Sequence, residues 1–137
     1  MIEKYDIILF DLDGTLTDPQ EGIINSIQYS LKYFGIIEKN IDQLKKFIGP
    51  PLKESFMEYY SFDNDIAAIA IEKYREYFAS KGLFENEVYP LIPELLGELF
   101  NNGIKLIVAT SKPTEFAQQI VDHFGLSKYL LLLQVAI

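Results

Sequence analysis

An α/β fold, built on a parallel sheet and interrupted by one helical insertion, is what this 137-residue sequence predicts. Three observations carry that expectation. Ile7, Ile8, Leu9 and Phe10 form an apolar run with no helical period, which fits a strand of a parallel sheet covered on both faces. Residues 18–82 then show only helical spacing and no convincing strand. From residue 83 onward strand and helix patterns alternate again, so residues 1–17 and 83–137 are expected to form an α/β core and residues 18–82 a helical domain inserted into it.

The elements follow in order. The first strand ends where Gly14 permits a turn, and Asp18, Pro19 and Glu21 then supply an N-cap, a proline at the first helical position and an acid at the third, a form of capping box. Ile23, Ile27, Leu31 and Phe34 recur at helical spacing until Gly35. A short helix is expected over 41–47, broken by Ile48-Gly49-Pro50-Pro51. Helical spacing resumes through Leu52, Phe56 and Tyr59 or Tyr60, and again over 66–80 through Ile66, Ile69, Ala70, Tyr74, Tyr77 and Phe78, with Gly82 as the stop. Pro93 opens a helix carrying Leu95, Leu96, Leu99 and Phe100, and Asn101-Asn102-Gly103 closes it. Residues 104–109 are rich in branched side chains and read as a strand. Pro113 begins a last helix with Phe116, Ile120, Val121 and Phe124 on its buried face, and a third strand is expected over 129–135.

Composition narrows the function classes. Ten Phe and nine Tyr in a chain that is 49% apolar supply a real core and argue against disorder. Twelve basic against twenty acidic residues give a net charge of −8, which repels the phosphate backbone of nucleic acid; no nucleic-acid partner is expected. With no cysteine, disulfides and thiolate metal sites are excluded. The first residues lack the basic start and long apolar core of a secretory signal, and the apolar run 129–133 is too short to cross a bilayer. A cytoplasmic protein with no membrane partner is the expectation.

The run Asp11-Leu12-Asp13-Gly14-Thr15-Leu16 directly follows the first strand, which puts two carboxylates just beyond a strand's carboxyl end, where open α/β sheets bind ligands. Phosphoryl transfer needs a nucleophile, a cation and hydrogen-bond donors. Asp11 can attack phosphorus to form an aspartyl-phosphate. Asp13 can protonate the leaving alkoxide and later take a proton from the attacking water. Two carboxylates repel a phosphate dianion unless a hard cation lies between them, and oxygen donors without Cys or clustered His point to Mg²⁺. The backbone N–H groups of the turn from Leu12 to Gly14 and the hydroxyl of Thr110 could complete a phosphate cradle, with Thr110 and Ser111 just before a helix start. A lone Asp at a strand end is ordinarily a cap or turn former, and a Ser or Thr before Pro a helix cap. The combination Asp-x-Asp-Gly-Thr after an apolar strand outweighs that reading for the first motif and promotes the second.

Asp11-Leu12-Asp13-Gly14-Thr15-Leu16 resembles the first signature of the haloacid dehalogenase superfamily, and Thr110-Ser111-Lys112-Pro113 resembles its second. The helical insertion is similar to that superfamily's small helical cap, and Phe47-Ile48-Gly49-Pro50-Pro51-Leu52 to the cap loop of its phosphoglycolate phosphatase-like members. The similarity covers residues 4–128. It implies a Rossmann-like core, Asp11 as nucleophile, Asp13 as acid/base, and both as ligands of Mg²⁺, Asp11 through its side chain and Asp13 through its backbone carbonyl. It also implies that Thr110 donates to phosphate. Lys112 either faces the substrate or is a solvated lysine near a helix start. His123 reads as a surface or boundary residue, and Tyr59, Tyr60, Tyr74 and Tyr77 as core packing at helical spacing.

The same resemblance implies a catalytic lysine well downstream of the second motif and a Gly-Asp acidic motif that completes the metal site. Downstream of Thr110 the lysines are Lys112 and Lys128, and after Gln118 the only acid is Asp122. The sequence is therefore expected to lack the last part of the core, through a missing stretch or an altered reading frame near Tyr129. The sheet would keep strands near Ile7, Leu106 and Leu131, with no neighbour on one side of the Asp11 strand, and such an edge predicts self-association or poor stability. Three functions stand at this point. The first is a Mg²⁺-dependent phosphomonoester hydrolase of small phosphorylated metabolites, phosphoglycolate being the family example. The others are a phosphosugar mutase using the same two aspartates, and a non-catalytic fragment of the fold.

Overall fold

The computed structural model describes residues 5–135. In chain order the elements are β1 (Ile7–Phe10), β2 (Thr17–Asp18), α1 (Gln20–Tyr33), α2 (Ile41–Lys45), α3 (Leu52–Tyr60) and α4 (Asn64–Ser80), then a 3-10 turn (Gly82–Phe84), β3 (Glu87–Val88), α5 (Ile92–Asn101), β4 (Lys105–Thr110), α6 (Thr114–His123) and β5 (Leu130–Gln134). They form two compact units. One comprises the chain up to Asp18 and from Glu87 onward, the other Pro19–Asn86.

In the first unit a parallel sheet has the order β1-β4-β5. Ile8 pairs with Leu106 and Leu106 with Leu130; Phe10 pairs with Val108 and Val108 with Leu132. Alternation along each strand sends these residues to one face, where Leu106, Val108 and Leu130 are buried. Helix α5 packs on β4 and α6 on β5, and their buried Leu96, Leu99, Ala117, Ile120 and Val121 supply the facing layer. Helix α5 stops because Gly103, at φ +81°, takes the left-handed turn that closes a Schellman motif: its N–H donates to the Phe100 carbonyl and that of Ile104 to the Leu99 carbonyl. Gly35 and Gly125 end α1 and α6 with the same bonding pattern.

Burial corrects one expectation. The β1 strand is not covered on both faces: Ile7 and Leu9 are exposed, and β1 lies at an edge of the sheet among the described residues. An aperiodic apolar run reports that both faces are apolar, but it does not report whether a layer covers them.

Two short strands were not foreseen. Thr17–Asp18 pairs antiparallel with Glu87–Val88 in a separate ribbon, extended by the N–H of Tyr89 donating to the Leu16 carbonyl. This ribbon also displaces the expected capping box. Asp18 lies in β2, Pro19 takes the N-cap position of α1, and no side chain caps that helix.

In the second unit α1 and α4 pack along their lengths around Ile27, Leu31, Ala67, Ala70, Tyr74 and Phe78. Buried Ser30 donates through Oγ to the Ala70 carbonyl at 2.6 Å, joining the two helices. At the start of α1 the backbones nearly touch: a Cβ on Gly22 would lie 1.9 Å from the Gly82 carbonyl oxygen. The Gly22 N–H donates to the Glu85 carbonyl, and Asn25 Nδ2 to Glu85 Oε2. These contacts hold the 3-10 turn against α1 and carry the helical unit beyond Gly82 to Asn86. Phe47, fully packed, meets the Phe56 ring edge-on at 5.1 Å. Tyr74 is buried in the same core, as its helical spacing suggested.

Candidate active site

The carboxyl ends of β1 and β4 are neighbours in the parallel sheet, so the segments that leave them emerge side by side. Asp11 follows β1 and is exposed. Its Oδ1 accepts the N–H of Leu12 at 2.8 Å, which fixes the side chain against its own backbone. Leu12 points inward and is completely buried, and its carbonyl accepts the N–H groups of Thr15, Leu16 and Thr17 at 3.0–3.2 Å. Gly14 turns the chain at φ +82°, and its N–H donates to the Thr17 carbonyl at 2.7 Å. The apolar Leu12 and Leu16 therefore anchor a tight loop whose polar residues, Asp11 and Asp13, are left at the strand end.

That bonding bears on the expected cradle. In this structure the N–H of Leu12 is engaged by the Asp11 carboxylate and that of Gly14 by Thr17. Those two donors, assigned to phosphate from the sequence, hold the loop together.

Thr110 ends β4 and is buried. Its Oγ1 accepts the Lys112 N–H at 3.1 Å, so the hydroxyl proton remains able to donate. Its carbonyl accepts the Val135 N–H at 2.9 Å, which ties this strand end to the end of β5. Ser111 is exposed in the following turn. Pro113 takes the N-cap position of α6 with no side-chain cap.

Lys112 brings the two motifs together. Its Nζ lies 3.2 Å from Asp13 Oδ2. The other carboxylate oxygen, Oδ1, is buried without a hydrogen-bond partner. Burial pushes the Asp13 carboxyl above the ordinary carboxylate range; Lys112 pulls the other way by charge and hydrogen bonding, and the charge of Asp11 adds to the rise. The sequence left Lys112 between a substrate contact and a solvated side chain, and its partnership with Asp13 was not foreseen. It is a contact between distant segments, and only the alignment of two strand ends reveals it.

The arrangement thus places an exposed carboxylate near a half-buried one that binds its proton more tightly than an ordinary carboxylate, with a hydroxyl donor and an ammonium on the adjacent strand end. Two carboxyl groups held in different environments are suited to different roles in one reaction. Among the described residues no cluster of three or more acidic, His or Cys side chains could by itself hold a metal ion. The donor set does fit Mg²⁺ in kind: hard oxygens, two aspartates, and an orphaned buried oxygen on Asp13. Mg²⁺ commonly binds through one or two carboxylates and completes its shell with water and substrate phosphate. His123, at the end of α6, stacks edgewise on Phe124 away from this set. A cleft of about 440 Å³ lined by Phe100, Ile104, Lys105 and Tyr129 lies where β4 and β5 begin, at the opposite end of the strands from Asp11 and Thr110.

These features define an open α/β sheet with its polar site at adjacent strand ends. The chain belongs to the haloacid dehalogenase-like hydrolases, whose family model matches residues 8–135. It is 51% identical over 126 residues to a 5'-nucleotidase of Pseudomonas aeruginosa, a match covering 92% of this chain and 57% of that protein. It is 34% identical to the tyrosine-protein kinase PtkA of Mycobacterium tuberculosis, covering 93% of this chain and 43% of the kinase. To a phosphoglycolate phosphatase of Aquifex aeolicus it is 33% identical, covering 90% and 57%. A crystal structure from Clostridium difficile superposes with a TM-score of 0.88 at 54% identity, over 95% of this chain and 61% of that one. The chain therefore spans little more than half the length of the phosphatase relatives it matches. No described helix is long and apolar enough to cross a membrane.

Proposed function

We propose that this chain carries the nucleophile and the acid/base of a phosphomonoester hydrolase acting on small phosphorylated metabolites. The observation that supports it most is the placement of exposed Asp11 near half-buried Asp13, whose carboxyl binds its proton more tightly than an ordinary carboxylate and is held by Lys112. In the first step an Asp11 carboxylate oxygen attacks phosphorus, the bond from phosphorus to the substrate oxygen breaks, and the departing alkoxide takes the proton of Asp13. In the second step Asp13 takes a proton from water, the water oxygen attacks phosphorus, and the aspartyl-phosphate bond breaks to release inorganic phosphate. Thr110 donates its hydroxyl to a phosphate oxygen. The Asp11 carboxylate and the Asp13 backbone carbonyl would hold Mg²⁺, which would offset the negative charge that gathers when a phosphate meets the two carboxylates.

Phosphoglycolate is the substrate this reading favours, since a phosphoglycolate phosphatase is among the relatives; the 5'-nucleotidase relative makes a nucleoside monophosphate the comparison substrate. The experiment is a p-nitrophenyl phosphate assay with Mg²⁺ on the 137-residue chain and on Asp11→Asn. Phosphate release that falls to background in Asp11→Asn supports the mechanism. Equal release by both proteins overturns the role of Asp11, and no release by either overturns catalysis by this chain and favours a non-catalytic fragment. Transfer of phosphate within a sugar phosphate, without release, would identify a mutase instead.

A further inference from the structure

We propose that Lys112 is a positioning residue: its ammonium, fixed from the end of β4, aims Asp13 Oδ2 at the ester oxygen of the substrate. This role rests on the phosphatase reading and adds to it the group that directs the proton. The base of the lysine is well anchored. Its N–H donates to Thr110 Oγ1 at 3.1 Å, and Thr110 is itself buried and joined through its carbonyl to the Val135 N–H at 2.9 Å. A lysine near a helix start ordinarily lays its stem along the surface and keeps its ammonium in water. Lys112 does not: only 10% of its side chain is exposed, and its Nζ lies 3.2 Å from Asp13 Oδ2.

The two aspartates are held in different ways. Asp11 is fixed by its own chain, through the Leu12 N–H at 2.8 Å. Asp13 has no such local support: the Gly14 N–H donates to the Thr17 carbonyl, and Asp13 Oδ1 is buried without a hydrogen-bond partner. Among the described residues, the group that holds the Asp13 carboxylate by hydrogen bonding is Lys112. An ion pair in open water fixes little, because solvent screens it, but an ammonium this well covered is screened far less. The contact also spans the two motifs. Thr110, assigned to hold phosphate through its hydroxyl, lies two residues before Lys112, so the phosphate donor and the lysine that directs Asp13 leave the same strand end. The acid/base is thereby set relative to the phosphate rather than to its own loop. Such placement matters, since a displacement of about 1 Å can cost about a hundredfold in rate.

Two measurements on the full 137-residue chain test this, using Lys112→Met with Lys112→Ala as a second variant, each checked for folding by circular dichroism. In the first, three-bond NMR couplings read the Asp13 χ1 angle. The wild type should hold one rotamer, and the variants should average over several. An averaged χ1 in the wild type, or the same single rotamer in the variants, overturns the proposal whatever the turnover. In the second, kcat/KM is compared for ethyl phosphate and p-nitrophenyl phosphate with Mg²⁺, since this ratio reports the steps through departure of the alcohol. Ethoxide needs the Asp13 proton to leave, whereas p-nitrophenolate does not. Loss of Lys112 should therefore lower the ethyl phosphate value about tenfold more than the p-nitrophenyl phosphate value. Equal losses on the two esters would make Lys112 a phosphate ligand or a merely structural residue and overturn the positioning role. A wild type that hydrolyses p-nitrophenyl phosphate but not ethyl phosphate overturns it as well, because Asp13 then delivers no proton. No release from either ester, with the rotamer held in the wild type and lost in the variants, overturns the phosphatase reading for this chain while the hold of Lys112 on Asp13 stands.

Discussion

At the scale of single residues the site turns on how Asp13 is held. Burial raises its carboxyl and Lys112 opposes the rise, so replacing Lys112 by Met should move the Asp13 titration to still higher pH. Carboxyl NMR of the two proteins reads this directly; an unchanged or lower value would mean that the ion pair does not form in solution. The linkage has a definite sign. A carboxyl whose folded value lies above its unfolded value binds its proton more tightly when folded, so its contribution to stability is complete below the unfolded value near 3.8 and is lost as pH rises through the folded one. Unfolding free energy followed against pH should show that decline in the wild type, and in Lys112→Met it should extend to higher pH. The placement of Asp11, Asp13 and Thr110 at strand ends was legible in the sequence because each sits next to a strand with a readable apolar pattern. The Lys112 contact with Asp13 was not, since no local pattern encodes a pairing made across two strand ends.

At the scale of elements the sharpest constraint is the meeting of Gly22 with Gly82. The 1.9 Å approach of a Cβ to a backbone oxygen has no flexible side chain to yield, so Gly22→Ala must separate α1 from the 3-10 turn. Denaturant unfolding should report a loss of about 3 kcal/mol, in the range of overpacked cores; a change under about 0.5 kcal/mol, as at an ordinary surface site, would contradict the close approach. Phe56→Ala, which removes a fully buried ring packed on Phe47, should cost about 3–5 kcal/mol by the same measurement. Helices α1, α3 and α4 were readable from the spacing of their apolar residues and from Gly35 and Gly82. The β2 and β3 pair was not, because two-residue strands have no period to read. Their pairing also explains why Asp18, well placed in sequence to cap α1, is used in a strand instead.

At the scale of the whole molecule the sheet order β1-β4-β5 and the charge of −8 act together. The exposed edge of β1 predicts self-association; the like charges of two copies oppose their encounter, and salt should weaken that opposition. Raising ionic strength from about 0.01 M to about 0.15 M shortens the screening length from about 30 to about 8 Å, so the dimer fraction in sedimentation should increase. A decrease would indicate an interface held by ion pairs. The strands near Ile7, Leu106 and Leu131 and the exposed edge of β1 were legible in the sequence. The exposure of Ile7 and Leu9 was not, because both look like core residues in an apolar run.

The central claim is that Asp11 becomes phosphorylated. Mass spectrometry of peptides from the chain, quenched in acid during turnover of p-nitrophenyl phosphate with Mg²⁺, tests it most directly. The mechanism predicts one phosphoryl group on the peptide containing Asp11, absent from Asp11→Asn and accumulating in Asp13→Asn, where proton removal from the attacking water is lost and p-nitrophenolate leaves without needing the Asp13 proton. Turnover with no phosphoryl group on that peptide in either the wild type or Asp13→Asn, or the same modification in Asp11→Asn, would contradict it.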